Sequence, residues 1–215
     1  MDATGWDRRY DASDLVWSAT PNAVVARETA DLPPGRALDL ASGEGRNAIW
    51  LAERGWRVTA VDFSAVATAR ARRLAQERLG ADADRLDAVT ADLMAWSPPL
   101  ASVDLAVLAY LQLGAAERRR AHWLAAAALA PGGTFLLVAH HSDNIAEGVG
   151  GPQDPAVLFT PDEVVADLEG TGLLVDRAER VERVVAVEGA GAHRADGAAE
   201  AVALDVLVRA HRASR

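Results

Sequence analysis

The stretch Asp39-Leu40-Ala41-Ser42-Gly43-Glu44-Gly45-Arg46-Asn47-Ala48 gathers residue types that can grip a ligand by its polar ends. Asp39 sets a charge inside a run, Arg36 to Ala41, that otherwise reads as a buried strand. A charge there needs a cationic or hydrogen-bonding partner, such as the ammonium of an amino-acid moiety. Gly43 and Gly45 let the chain turn tightly and approach a ligand without a Cβ clash. Arg46 and Asn47 open a helix whose free backbone amides point at whatever sits above that turn. Asp62 ends a second apolar run, Val58-Thr59-Ala60-Val61, where a carboxylate can accept from both hydroxyls of a ribose. The same glycines could simply make a strand-to-helix turn, and an Asp such as Asp92, just after a strand, often only caps the next turn.

His140 and His141 follow an apolar run, Thr134 to Ala139, at the edge of the sheet where the other residues converge. A histidine there can take a proton from an oxygen or nitrogen nucleophile near neutral pH. Neighbours on an extended chain point in opposite directions, so at most one of the two faces a pocket. A structural or solvent-facing role, or a metal site with Asp143, is the competing reading, and no metal is expected.

The elements that must position these groups alternate. Strand-like runs at Arg36–Ala41, Val58–Val61, Leu86–Ala91, Val103–Leu108 and Thr134–Ala139 are separated by helical segments. Arg46–Arg54 is closed by Gly55, and Ser64 caps a helix to Leu79 that Gly80 stops. A further helix, Ala115–Ala130, is closed by Pro131-Gly132-Gly133. Such alternation predicts an α/β fold with a doubly wound, mostly parallel sheet. His140–Leu158 is expected to be a loop, and Thr160 with Pro161 to start a helix. Leu173–Val187 and Ala201–Ala210 have no helix between them, so they must pair as an antiparallel hairpin and complete seven strands. A single domain over residues 36–215 is expected, preceded by a polar and aromatic segment over 1–35.

Composition removes several chemistries. The 215 residues include no Cys and no Lys, so thiol nucleophiles, Cys-ligated zinc, the P-loop lysine and Schiff bases are all absent. A net charge of −9 and no long basic run argue against nucleic acid as a partner. The opening Met1-Asp2-Ala3-Thr4-Gly5-Trp6 is unlike a secretory signal, and no apolar run spans a membrane, so a cytoplasmic protein without a membrane partner is expected.

Two cofactors suit the layout. Gly43-x-Gly45-x-x-Ala48 with Asp62 about 20 residues downstream satisfies a dinucleotide fingerprint, which keeps an NAD(P)-dependent oxidoreductase open. Against it stand the charge at Asp39 and a sheet that leaves no room for a substrate domain. Asp39-x-Ala41-x-Gly43-x-Gly45, with Asp62, then Ala91-Asp92 and the terminal hairpin, resembles class I S-adenosylmethionine-dependent methyltransferases, with their Rossmann-like sheet. Within them, Gly43 to Ala52 looks like the tellurite-resistance and thiopurine-type small-molecule branch. The resemblance implies S-adenosylmethionine as cofactor and a small-molecule acceptor at oxygen, nitrogen, sulfur or a metalloid. It also implies roles: Asp39 and the backbone from Ala41 to Gly45 at the methionine end, and Asp62 on the ribose. Phe63, Ala91, Asp92 and Leu93 would lie around the adenine, with Ala109, Tyr110 and Leu111 beside the methyl group. Residues 1–35 resemble a cap over the cofactor, with Trp6, Arg9, Tyr10 and Trp17 closing the substrate pocket. A non-catalytic S-adenosylmethionine-binding protein is the remaining alternative, and a monomer or homodimer is expected.

Overall fold

A computed structural model describes residues 3–11, 20–186 and 200–214. In chain order it runs α1 (Ala3–Asp11), α2 (Ala23–Thr29), β1 (Arg36–Leu40), α3 (Arg46–Glu53), β2 (Arg57–Asp62), α4 (Ala65–Leu79) and β3 (Leu86–Thr90). It continues with β4 (Val103–Ala109), α5 (Ala115–Ala128), β5 (Leu129–His140), α6 (Asn144–Glu147), α7 (Pro161–Asp167), β6 (Leu173–Ala186) and β7 (Glu200–Arg212). The seven strands form one sheet in the order β3-β2-β1-β4-β5-β7-β6. The first five are parallel, and β7 lies antiparallel between β5 and β6. This is the doubly wound, mostly parallel sheet with an antiparallel C-terminal pair that the alternation predicts. The strand order reverses between β1 and β4, and ligands of such sheets sit at the carboxyl edge of that switch point.

Local chemistry sets most boundaries. The Ser64 hydroxyl accepts from the Ala67 N–H to start α4, and the Asn22 side chain accepts from Val24 and Val25 to start α2. Thr160 and Glu163 form a reciprocal capping box on α7, with Pro161 in the first turn. Gly45 is required where it stands: its φ is +82°, and a Cβ there would come within 3.1 Å of the Ala71 Cβ on α4.

Two expectations change. Helix α5 ends at Ala128 rather than Ala130, because Leu129 adopts φ −71°, ψ 127° and pairs with Val103. Pro131-Gly132-Gly133 therefore lies in a bulge of β5, between the Val103–Leu129 and Leu105–Thr134 pairs. The stretch His140–Leu158 is not wholly loop, since it holds α6 and a 3₁₀ turn at Pro155–Val157.

The core has two layers, one on each face of the sheet. Phe135, Leu137 and Ala139 of β5 pack with Ala121 and Ala125 of α5 and Val164 of α7. Leu136 and Val138 face the other way, onto Val24 and Val25 of α2, Ile49 of α3 and Leu207 of β7. No helix among the described residues is long and apolar enough to cross a membrane.

Candidate functional site

Where β1 and β2 end, their carboxylates meet the glycine turn. Asp62 accepts from the Gly43 N–H at 2.8 Å and the Ser64 N–H at 2.9 Å, so it braces the turn and the start of α4 together. Burial pushes its carboxyl above the ordinary range, and the N–H donors of Ser64 and Gly43 pull it back. Ala41 leaves β1 in the left-handed region at φ 58°, and Tyr110 leaves β4 at φ 59°. Each such conformation costs a non-glycine residue roughly 1–2 kcal/mol. The two sit on either side of the switch point, where strain commonly accompanies a site.

Asp39 is 1% exposed. Its carboxyl is pushed up to about 7 by burial, with the Arg46 guanidinium pulling down and Asp62 pushing up. The Ala48 N–H donates to it, yet Oδ2 has no partner. A buried carboxylate oxygen left unsatisfied is what an ammonium ligand would complete. Burial also lowers the pKa of Arg46, which shares its surroundings with Tyr110, Asp39, Arg183 and Tyr10. Ser42 Oγ and Gln112 Nε2 are further buried polar atoms without partners near these strand ends.

A second group lies beside the first, on the α2 and α3 face. The Tyr110 hydroxyl donates to Asp205 Oδ2 at 2.7 Å and accepts from Asn22 Nδ2 at 3.1 Å. Arg183 Nε donates to the same Asp205 oxygen at 2.7 Å. His140 Nδ1 stands 3.3 Å from Asp205 Oδ1, outside hydrogen-bonding alignment, and its ring centroid is 4.8 Å from that of Tyr110. Burial pushes the Tyr110 phenol well up, and the Asp205 charge adds to the effect.

The structure separates the histidine pair. His141 Nδ1 accepts from the Asp143 N–H at 3.0 Å, and its backbone N–H donates to Leu204. Burial lowers its pKa, and its ring serves the turn into α6. Only His140 joins Tyr110 and Asp205 among the two.

Beyond the ends of β2 and β3, Phe63 and Ala91 are half-buried, and Asp92 is exposed with Oδ1 accepting from the Met94 N–H at 2.8 Å. Leu93 is 6% exposed and packs with Leu40, Val61 and Leu108. The Asn47 side-chain oxygen accepts from the Asn22 N–H at 2.9 Å, tying α3 to α2. Ala109 is half-buried at the end of β4. In α1, Tyr10 is buried, with the Trp6 ring centroid 5.7 Å away. Asp7 accepts from the Ser64 hydroxyl, which docks α1 on the start of α4. Arg9 lies in α1, but its side chain and all of Trp17 fall outside the described residues.

Sequence reasoning missed Asp7, Asn22, Arg183 and Asp205. For Asp205 a signal existed, since it is the one charge in the apolar run Ala201 to Val208. Among the described residues no group of three His, Cys, Asp or Glu could hold a metal.

Residues 37–133 match the model of a methyltransferase domain. No curated protein matches the chain. One similar solved structure comes from a study of the conversion of a disulfide bond into a thioacetal group during echinomycin biosynthesis. It has a TM-score of 0.73 at 20% identity, covering 98% of this chain and 91% of that one. The glycopeptide N-methyltransferase MtfA, complexed with S-adenosyl-L-methionine, gives 0.62 at 23%, covering 91% and 88%. TehB from Haemophilus influenzae gives 0.69 at 17%, covering 96% and 66%. At these identities the likeness is one of fold.

Proposed function

We propose that this chain is an S-adenosylmethionine-dependent methyltransferase that delivers the methyl group to a small-molecule acceptor carrying a nucleophilic oxygen, nitrogen, sulfur or metalloid. The observation that carries the acceptor size is enclosure. The polar groups able to meet an acceptor lie inside the fold, with the His140 side chain only 14% exposed and Tyr10 buried in the surroundings of Arg46. Groups so enclosed suit a small acceptor better than a macromolecular surface. The acidic chain also disfavours a nucleic-acid substrate. With a methyltransferase domain over residues 37–133, the glycine turn is no longer read as a dinucleotide loop.

The residues present fit the cofactor. Asp39 Oδ2, buried without a partner, suits the ammonium of its methionine part. Asp62 suits the ribose hydroxyls, and the backbone from Ala41 to Gly45, with the first amides of α3 at Arg46 and Asn47, suits the rest of that part. Phe63, Ala91 and Asp92 suit the adenine, and Ala109 and Tyr110 the neighbourhood of the methyl group. S-adenosylmethionine supplies an already activated methyl on a sulfonium, so the protein has mainly to align and to exclude water. Residues 1–35 serve as the cap in this reading, supported by the hold of Asp7 on Ser64. The reading extends to a cytoplasmic monomer or homodimer.

Calorimetric titration with S-adenosylhomocysteine, with NADH in parallel, tests it. Micromolar binding of the first and none of the second is expected. S-adenosylhomocysteine release from S-adenosylmethionine with small acceptors then separates turnover from mere binding. Binding of NADH alone, or no release with any acceptor, overturns the reading.

A further inference from the structure

We propose that Asp205 is a positioning residue that makes His140 the general base of the reaction, and that the acceptor is accordingly a protic oxygen or nitrogen nucleophile. This rests on the methyltransferase reading above and assigns the acceptor class of that same site.

Asp205 is 0% exposed and sits in an otherwise apolar stretch of β7, directly across from His140 of β5. A carboxylate so placed is strongly destabilising unless donors surround it. Here two donors reach it, Arg183 of β6 and the Tyr110 hydroxyl after β4, while His140 Nδ1 of β5 stands 3.3 Å from its other oxygen. Against the upward push of burial, these contacts hold Asp205 below the ordinary carboxylate range, so it stays ionised. Tyr110 is not the base, because its hydroxyl proton is committed to Asp205 and its own pKa is pushed up.

His140 is left with the proton-accepting role. An ionised oxygen 3.3 Å from Nδ1 favours the tautomer protonated at Nδ1, which leaves the lone pair on Nε2. Arg183 matters as well, since its charge offsets that of Asp205 and its guanidinium lies 5.4 Å from the Tyr110 ring. The charged and titratable groups around His140 are thus Asp205, Tyr110 and Arg183, with Arg46 of α3 beside the last two. The ring is also held from the loop after α6: a Cβ on Gly151, whose φ is +73°, would come 2.9 Å from Nε2, Cγ and Cδ2.

The step balances. The acceptor oxygen or nitrogen forms a bond to the methyl carbon while the carbon–sulfur bond breaks, its electron pair staying on sulfur. The acceptor proton passes to His140 Nε2 and then to solvent. An aromatic thiol already ionised to its thiolate, or a metalloid anion, has no proton to surrender and gives His140 nothing to do.

The test uses the full chain, labelled with ¹⁵N and saturated with S-adenosylhomocysteine. Imidazole ¹⁵N shifts should report His140 protonated at Nδ1, with the assignment made by His140→Gln. Asp205→Asn should convert it to the Nε2-protonated form while S-adenosylhomocysteine affinity stays within about twofold, as cofactor contacts are not involved. Gly151→Ala should shift the same resonances with Asp205 intact. Catechol and benzylamine, assayed against thiophenol and tellurite, address the acceptor. His140→Gln should slow the protic acceptors about 10²–10⁴-fold. An Nε2-protonated wild type, or Asp205→Asn without effect on the tautomer, overturns the positioning role. Turnover confined to thiophenol or tellurite and insensitive to His140→Gln overturns the acceptor class. Failure of S-adenosylhomocysteine to bind wild type instead removes the methyltransferase reading, while the unliganded tautomer still decides the positioning role. If Asp205→Asn does not fold, the wild-type tautomer and Gly151→Ala carry the test.

Discussion

Two clusters in this molecule are built from the same three residue types and nearly the same distances. On one face of the sheet, Asp205 takes Arg183 at 2.7 Å and has His140 Nδ1 at 3.3 Å. On the other face, Asp167 takes Arg118 at 2.7 Å and has His122 Nδ1 at 3.3 Å. The second set is sealed: the His122 side chain is 2% exposed and lies edge-on to Phe135 and Phe159, and Arg118 stacks over Phe159. It joins α5 to α7, and Trp123 Nε1 donates to the Asp167 carbonyl at 2.8 Å. Asp167 is also the last residue of α7, where the helix dipole disfavours a negative charge, so Arg118 and His122 answer a local need. The first set stands at the carboxyl edge beside Tyr110, Arg46 and the unsatisfied Asp39 oxygen. Residue types and distances are shared, so place in the sheet is what separates a set sealed between helices from one at the edge where ligands of such sheets sit.

The sharpest way to break this comparison is to remove each histidine. His140→Gln should lower turnover about 10²–10⁴-fold with little change in melting temperature. His122→Gln should leave turnover intact and lower stability, as read by urea unfolding. Equal effects on both readouts would erase the distinction.

Next in size, Asp167→Ala should destabilise the fold by about 3 kcal/mol, because it leaves buried Arg118 with only Glu163, 3.6 Å away. Its S-adenosylhomocysteine affinity, measured by calorimetry, should be unchanged.

Acid sharpens the contrast. Burial depresses the His122 pKa, although Asp167 pulls upward. The unfolded chain therefore binds more protons at that position as pH falls below the ordinary histidine value of about 6.5, and stability is lost on acidification. Asp39 runs the other way: its raised pKa gives a contribution present below the ordinary carboxylate value and lost as pH rises through about 7. Asp39→Asn should thus raise the melting temperature at pH 8, by at least about 2 °C, while weakening S-adenosylhomocysteine binding. His122→Gln should flatten the fall in melting temperature below about pH 6.5. Asp7→Ala should have the smallest effect, speeding S-adenosylhomocysteine release less than about tenfold, since it removes one partly exposed hydrogen-bonding group.

What the sequence reveals follows from how local each cause is. Ser64, Gly80 and Thr160 mark helix ends because caps act within a few residues, and all three stand where expected. Asp39, Gly43 and Asp62 are legible because one turn and two strand ends bring them together. The α5–β5 junction is not legible, since Leu129 leaves its helix to pair with Val103, a preference set by the sheet and not by Ala-rich helix propensity. Asp205 and Arg183 are hidden for the same reason: they reach His140 only through antiparallel pairing across the hairpin. The logic applied to Asp39, a charge in a buried strand, would have picked out Asp205.

The position of β7 has a kinetic meaning. Wedged between β5 and β6, it can enter the sheet only after the chain from His140 onward has looped back to present residues 200–212 antiparallel to β5. Closing so long a loop carries an entropic cost that short βαβ crossovers avoid, and non-local pairings of this kind slow folding. The β1–β5 half of the sheet can assemble around its parallel neighbours beforehand, with the glycine turn, Asp39 and Asp62 already in register. Affinity for the nucleoside end of the ligand should therefore appear earlier on the refolding path than a correctly oriented His140, so that a nascent molecule passes through a stage that binds its cofactor before it can use it.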